Sequence, residues 1–192
     1  MKQSSRLIAA ISSLLLLPSG VSPSQTPMSG WRAFVSRGGC RIQYPAAWTT
    51  ASCHLCRDTR APKVFVDFFP PKALENGGWV MVFPLADKPS TIPLDAWFAN
   101  VESLANQNPE TARLSFVLNG LPARKVRYIN KNDRGGVEME AVYVVSGSRT
   151  LSIDFSGDNP GRLETLSNFP AYMKMLESFK VEGSAGKPDS SQ

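Results

Sequence analysis

Cys53-His54-Leu55-Cys56, with Cys40 upstream, is the place in the chain where groups suited to redox or metal chemistry crowd together. Such thiols can close a disulfide, exchange electrons with another thiol pair or hold a soft metal ion. In an exported protein, which meets oxidising surroundings, a disulfide is the ordinary fate of such cysteines. The pairing stays open between Cys53–Cys56 and a bridge from Cys40 to either, and three cysteines leave at least one thiol over. A redox site would want a low-pKa thiolate at a helix start. Arg57 to Pro62 follows instead and carries no apolar helical stripe, although Arg57 and Arg60 would lower a thiolate pKa. Cys40, Cys53, His54 and Cys56 also make up the donors of a Cys₃His zinc site. Against it, Cys53 and His54 are adjacent and reach one tetrahedral ion awkwardly, and Cys40 must fold back. Haem attachment would need histidine directly after the second cysteine, where Arg57 stands.

The remaining polar groups point to structure more than to catalysis. His54 is the one histidine, so a site needing two imidazoles in one chain is excluded. Asp67, Asp154, Glu138 and Glu140 fall on expected strands, where acid–base pairs are conceivable. A hairpin turning near Asn132-Asp133 would set Arg127 across from Glu138 and Lys125 across from Glu140. Such pairs support a solvated face by a few tenths of a kcal/mol each. Arg124, Lys125, Arg127, Lys131 and Arg134 form a basic cluster, read either as a solvated hairpin or as a contact for an acidic partner protein. A nucleic-acid groove would interleave aromatic platforms, and only Tyr128 is near. No Gly-x-Ser-x-Gly is present, and Ser146-Gly147-Ser148 sits in an expected tight turn. Phosphate-loop and dinucleotide fingerprints are missing as well. No catalytic residue and no cofactor is assigned, and a non-enzymatic protein is expected.

The framework that must position these groups is a single domain within 192 residues. Lys2 and Arg6, the apolar run Leu7 to Leu17 and then Pro18-Ser19-Gly20 follow the order of a secretory signal peptide, placed at residues 1–24. The apolar run is too short for the ~20 residues that span a bilayer. No cysteine stands near the cleavage region, so a lipoprotein anchor is not expected. A spacer at 25–30, a domain at 31–182 and a polar tail at 183–192 complete the division. Lys2 and Arg6 are the leader's only charges, so its loss takes the formal net charge from +5 to +3, too mild for a nucleic-acid partner. Localisation is therefore expected to be periplasmic or extracellular, or a thylakoid lumen in a photosynthetic source. The expected partner is an unidentified envelope or membrane-associated protein. No transmembrane segment is expected in the mature chain.

Within the domain, strands are expected at Phe34-Val35, Ile42 to Tyr44, Lys63 to Phe69 and Trp79 to Leu85, from β-branched and aromatic runs closed by Pro and Gly. Thr91 and Pro93 open a helix whose Leu94, Trp97, Phe98, Val101, Leu104 and Ala105 recur at spacings of three and four. That stripe predicts docking on a sheet; a small-ligand pocket beside Trp97 is the other reading. A meander follows: Leu114 to Leu118, the turn Asn119-Gly120, Ala123 to Ile129, Val137 to Val145 and Arg149 to Ser156. In the last run Leu151, Ile153 and Phe155 alternate with Thr150, Ser152 and Asp154, which predicts one buried and one wet face. A second helix at Pro170 to Ser178 and an edge strand after it end the domain. The class is α+β, a single domain with an antiparallel sheet flanked by helices.

Tyr44-Pro45 with Trp48, the helix Leu94 to Leu104, Leu118-Asn119-Gly120-Leu121-Pro122-Ala123, and Phe169-Pro170, Met173 and Leu176 to Val181 occur in an order that resembles the PsbP-like family. That family is named after a lumenal accessory subunit of photosystem II, and a nuclear-transport protein that binds the GTPase Ran shares its fold. The resemblance spans most of residues 31 to 182. It implies an α/β/α sandwich and an accessory or binding role without catalysis, and it transfers no functional residue.

Overall fold

The computed structural model describes residues 29–36, 39–52, 66–71, 78–105, 112–132, 135–157 and 163–181. The segments expected to be a leader (1–24) and a tail (183–192), most of the expected spacer, and the motif residues Cys53, His54 and Cys56 lie outside them. Short runs of β-branched and aromatic residues, punctuated by Gly, Pro and Asn, produce ten strands among the described residues. They are β1 (Trp31–Val35), β2 (Cys40–Pro45), β3 (Thr49–Ser52), β4 (Val66–Phe69), β5 (Trp79–Pro84), β6 (Ala112–Leu118), β7 (Leu121–Asn132), β8 (Gly135–Ser146), β9 (Arg149–Ser156) and β10 (Lys180–Val181). Helix α1 (Leu94–Ala105) separates β5 from β6, and α2 (Phe169–Ser178) precedes β10.

Seven strands form one sheet in the order β3-β4-β5-β9-β8-β7-β6, and β1-β2-β10 form a second, smaller one. Every pairing is antiparallel. Asn119-Gly120 makes the β6–β7 turn with φ of 50° and 85°. Positive φ at both central residues is the type I′ geometry that matches strand twist, and glycine and asparagine tolerate it best. Asn119 also tethers the turn to the end of α2: its Nδ2 donates to Phe179 O at 2.6 Å and to Glu177 O at 3.0 Å.

Both faces of the large sheet are covered at its centre. On one face Phe68, Val80, Val142, Ile153 and Phe155 pack with Tyr172, Met175 and Leu176 of α2 and with Ile42 and Val181 of the small sheet. The Phe155 and Tyr172 rings stack at 4.6 Å. On the other, Trp97, Phe98 and Val101 of α1 press on Val126, Ala141, Tyr143 and Val145. Each buried Val, Leu, Ile, Phe or Met among them contributes about 1.5–3 kcal/mol. Trp97 Nε1 donates to Thr150 Oγ1 at 2.8 Å, so the tryptophan fills the helix–sheet seam as expected of a docking helix. At Gly78 the backbone must pass against Ser156 O and the Phe155 ring, where a Cβ would sit 2.8 Å from ring atoms. Asn168, just before α2, holds the same place, accepting from Gly78 N at 3.1 Å and donating back to Gly78 O.

Two expectations change. The alternation on β9 does not separate a buried face from a wet one: Thr150, Ser152, Asp154 and Ser156 are all buried. The cause is position, because β9 lies between β5 and β8 at the sheet's centre, where neither face opens to water. Secondly, β3 was not expected; Thr49 to Ser52 has no apolar pattern of its own and is drawn into the sheet by pairing with β4. The single-domain α+β layout, with an antiparallel sheet flanked by helices, stands.

Candidate partner-binding face

The described members of the basic cluster, Arg124, Lys125 and Arg127, do not converge. Successive side chains of β7 alternate between sheet faces, so Arg124 points to the α1 side while Lys125 and Arg127 point to the α2 side. Arg124 stacks over Phe98, 5.0 Å from the ring centroid. Its guanidinium donates to Asp95 Oδ1 at 2.7 Å, Glu102 Oε1 at 3.3 Å and Ser115 Oγ at 3.2 Å. Glu102 is buried and also pairs with Arg113. On the opposite face Arg127 Nε donates to Glu140 Oε2 at 2.7 Å, and its Nη1 donates to Glu164. Burial pulls the Arg127 pKa down, but the hydrogen bonds to Glu140 and Glu164 outweigh it and leave the guanidinium above its ordinary value. Lys125 Nζ lies 3.7 Å from Glu140 Oε2. The side chains of Lys131 and Arg134 lie outside the described residues.

The hairpin register differs from the expected one. Asn132 pairs with Gly135, which puts the turn one residue later, so Arg127 faces Glu140, Lys125 faces Val142 and Ile129 faces Glu138. A one-residue shift of a turn moves every partner by two. Glu140 is accordingly not on a solvated face. It is fully buried, accepting from Tyr172 Oη at 3.0 Å as well as from Arg127. Burial, then the charge and hydrogen bond of Glu140, hold the Tyr172 hydroxyl well above its usual pKa. Glu138 is committed too, its Oε2 accepting from Leu163 N at 2.9 Å.

What stays open beyond this ion-pair border is apolar. Leu114 is 56% exposed and Ile129 46%, on the same face as Lys125 and Arg127. They are separated by roughly 13 Å along β7, with the aliphatic stems of Lys125 and Arg127 between them. Val117, on the opposite face of β6, is 70% exposed. Three of the four large apolar side chains exposed among the described residues therefore cluster on β6 and β7. Sequence reasoning found the basic residues here and missed these; β6, as the strand that ends the sheet, is where apolar residues of a strand pattern go uncovered.

The acids imagined as catalytic are sequestered. Asp67 and Asp154 lie in one row on the α1 side, two strand spacings or roughly 10 Å apart across Met81. Burial pushes the Asp154 carboxyl up to about 7, against a hydrogen bond from Ser152 Oγ that lowers it. No salt bridge reaches Asp154 among the described residues. Tyr128 and Tyr143 share this face, and burial, followed by the Asp154 charge, raises both their pKa values. Tyr143 Oη is buried and meets no hydrogen-bond partner.

Cys40, at the start of β2, is a free thiol that is 5% exposed. Burial pushes its pKa to about 12 against the opposing charge of Arg149, which makes it a poor nucleophile. No cluster of three or more metal-ligating side chains occurs among the described residues. No helix among them is long and apolar enough to cross a membrane.

No protein-family model matches the chain, and no curated protein matches it in sequence. Solved structures do resemble it. A Bacteroides thetaiotaomicron protein aligns with a TM-score of 0.53 at 12% identity, covering 80% of this chain and 49% of its own. The chain thus spans about half the length of that protein. A Pseudomonas aeruginosa protein of unknown function aligns at 0.49 and 12% identity, covering 77% of this chain and 94% of its own. The Ran-binding protein Mog1p of Saccharomyces cerevisiae aligns at 0.47 and 14% identity, covering 79% and 95%. At such identities the likeness concerns fold alone.

Proposed function

We propose that this chain is an exported, PsbP-like accessory protein without catalytic activity, which holds a partner protein against the uncovered outer part of β6 and β7. One observation carries the reading. Among the described residues, Arg124 is spent on Asp95 and Glu102 and Arg127 on Glu140 and Glu164, while Leu114 and Ile129 stay exposed beside them. Exposed apolar residues within a polar border mark contact surfaces rather than reaction centres. The same pairing neutralises Arg124 and Arg127 for an acidic partner, which favours apolar recognition beside them. The sealed Asp154 and the poorly nucleophilic Cys40 support the absence of catalysis. The leader pattern and the order of sequence landmarks support export and the PsbP-like assignment.

The test compares the wild-type chain with Leu114→Asp/Ile129→Asp and with Lys174→Glu, a control on the exposed side of α2, as baits in native envelope extract. A specific protein retained by wild type and control, and lost with the double variant, is expected. Retention by all three removes this face from the function. Measured turnover of thiol or ester substrates at ordinary enzyme rates removes the non-enzymatic reading.

A further inference from the structure

Asn119 and Gly120, the two residues of the β6–β7 turn, are both exposed. Asn119 is the one non-glycine residue with positive φ among the described residues. Its carboxamide also holds the turn to its surroundings. Nδ2 donates to Phe179 O at 2.6 Å and to Glu177 O at 3.0 Å, satisfying two carbonyls at the end of α2. Leu118 faces Leu121 across the turn, so the ladder bonds that close the hairpin belong to those two residues. The N–H of Gly120 lies inside the turn and takes no part in them. Gly120 adds no bulk of its own, and the space where a Cβ would stand is open.

A nucleophile and an electrophile are thus joined within one dipeptide. When the Gly120 N–H gives its proton to hydroxide, the nitrogen can add to Asn119 Cγ and close a five-membered ring. The bond formed is Gly120 N–Cγ and the bond broken is Cγ–Nδ2. The departing nitrogen takes a proton from water, leaves as ammonia and restores the hydroxide. Water then opens the cyclic imide at either carbonyl carbon, giving aspartate or isoaspartate at 119. Hydroxide and water are the only co-reactants.

The contacts that fix the turn also gate this step. Nδ2 cannot leave while it donates to Phe179 O and Glu177 O, so the tether has to open first. The product cannot restore it. An ionised carboxylate has no proton to offer either carbonyl, and it brings negative charge to the negative end of the helix. Isoaspartate also adds a backbone atom to a two-residue turn.

We propose that Asn119 is a self-modification site, a one-way timer whose conversion to aspartate or isoaspartate detaches the β6–β7 turn from the end of α2. The inference does not rest on the partner-binding reading, because it is read by peptide mass and unfolding rather than by capture.

The test keeps the full chain folded at mildly alkaline pH for several weeks and samples it by peptide mapping. Mapping separates Asn119 from Asn76, the other asparagine followed by glycine, which lies outside the described residues. Conversion at Asn119 is expected, at a rate at least tenfold below that of the same chain held unfolded in urea. The isolated converted chain, and Asn119→Asp made directly, should each show an unfolding equilibrium constant at least tenfold above that of the fresh chain. A folded chain that keeps its Asn119 amide throughout overturns the proposal, as do equal rates in the folded and unfolded chains. A converted chain as stable as the fresh one overturns it too.

Discussion

Replacing Asp154 with asparagine removes a carboxyl that is wholly enclosed on the α1 side of the sheet, with Ser152 Oγ as its hydrogen-bond donor. Burial raises its pKa from 3.8 to about 7. A raised native pKa means that the folded state holds the proton more tightly than the unfolded chain does. The stability this provides is complete below about pH 4 and is lost as pH rises toward 7. A rise of that size corresponds to about 4 kcal/mol over the whole range, and about 3 kcal/mol of it falls between pH 5 and pH 8. Asparagine is nearly isosteric, cannot ionise and escapes the loss. Urea unfolding of wild type and Asp154→Asn at pH 5, 6, 7 and 8 measures the difference directly, because every other titrating group cancels in the comparison. The expected outcome is a stability advantage for the variant that grows by about 3 kcal/mol from pH 5 to pH 8 and then levels off. Tyr128 and Tyr143 ionise far above this range and do not contribute. An advantage that stays constant across the four pH values would refute the reasoning and place Asp154 in contact with water or a cation.

Three further outcomes follow from the packing. Gly78→Ala drives a methyl group into Ser156 O and the Phe155 ring and should lower stability by about 1–3 kcal/mol, read by denaturant titration; a neutral effect would mean that β5 and β9 can separate there. Asn119→Gly keeps the left-handed turn but deletes the two bonds to α2, costing about 1–2 kcal/mol, and Asn119→Ala should cost about 1 kcal/mol more through its φ alone. Thiol titration of the purified chain should find Cys40 unreactive until the protein unfolds; with Cys53 and Cys56 joined, one thiol per chain appears on denaturation and three after reduction. Three thiols before reduction would exclude that disulfide.

Local sequence signals carried most of the fold. Asn119-Gly120, the stripe Trp97-Phe98-Val101 and the proline-closed runs each encode their element within a few residues, and each forms where the pattern predicts. Burial was less legible because it depends on neighbours distant in sequence. The polar residues Thr150, Ser152 and Asp154 look like a wet face by alternation, yet the central placing of β9 and the docking of α1 enclose them. Glu140 reads as one half of a surface pair, whereas Tyr172, 32 residues later, and Arg127 hold it in the core. The hairpin register failed for a simpler reason: Asn130 to Gly136 offers several turn positions, and the choice of one resets every cross-strand partner. The candidate face was half legible. The cluster of basic residues stood out in sequence, but only the assembled sheet reveals that Arg124 and Arg127 are paired internally and that Leu114 and Ile129 stay exposed beside them.

The most direct measurement is quantitative capture from native envelope extract with the wild-type chain, the Leu114→Asp/Ile129→Asp variant and the Lys174→Glu control, each shown beforehand to melt within a few degrees of the others. An accessory protein that works through its outer strands should retain a defined protein with wild type and control and lose it at least tenfold with the face variant. Equal retention by all three chains would contradict the account.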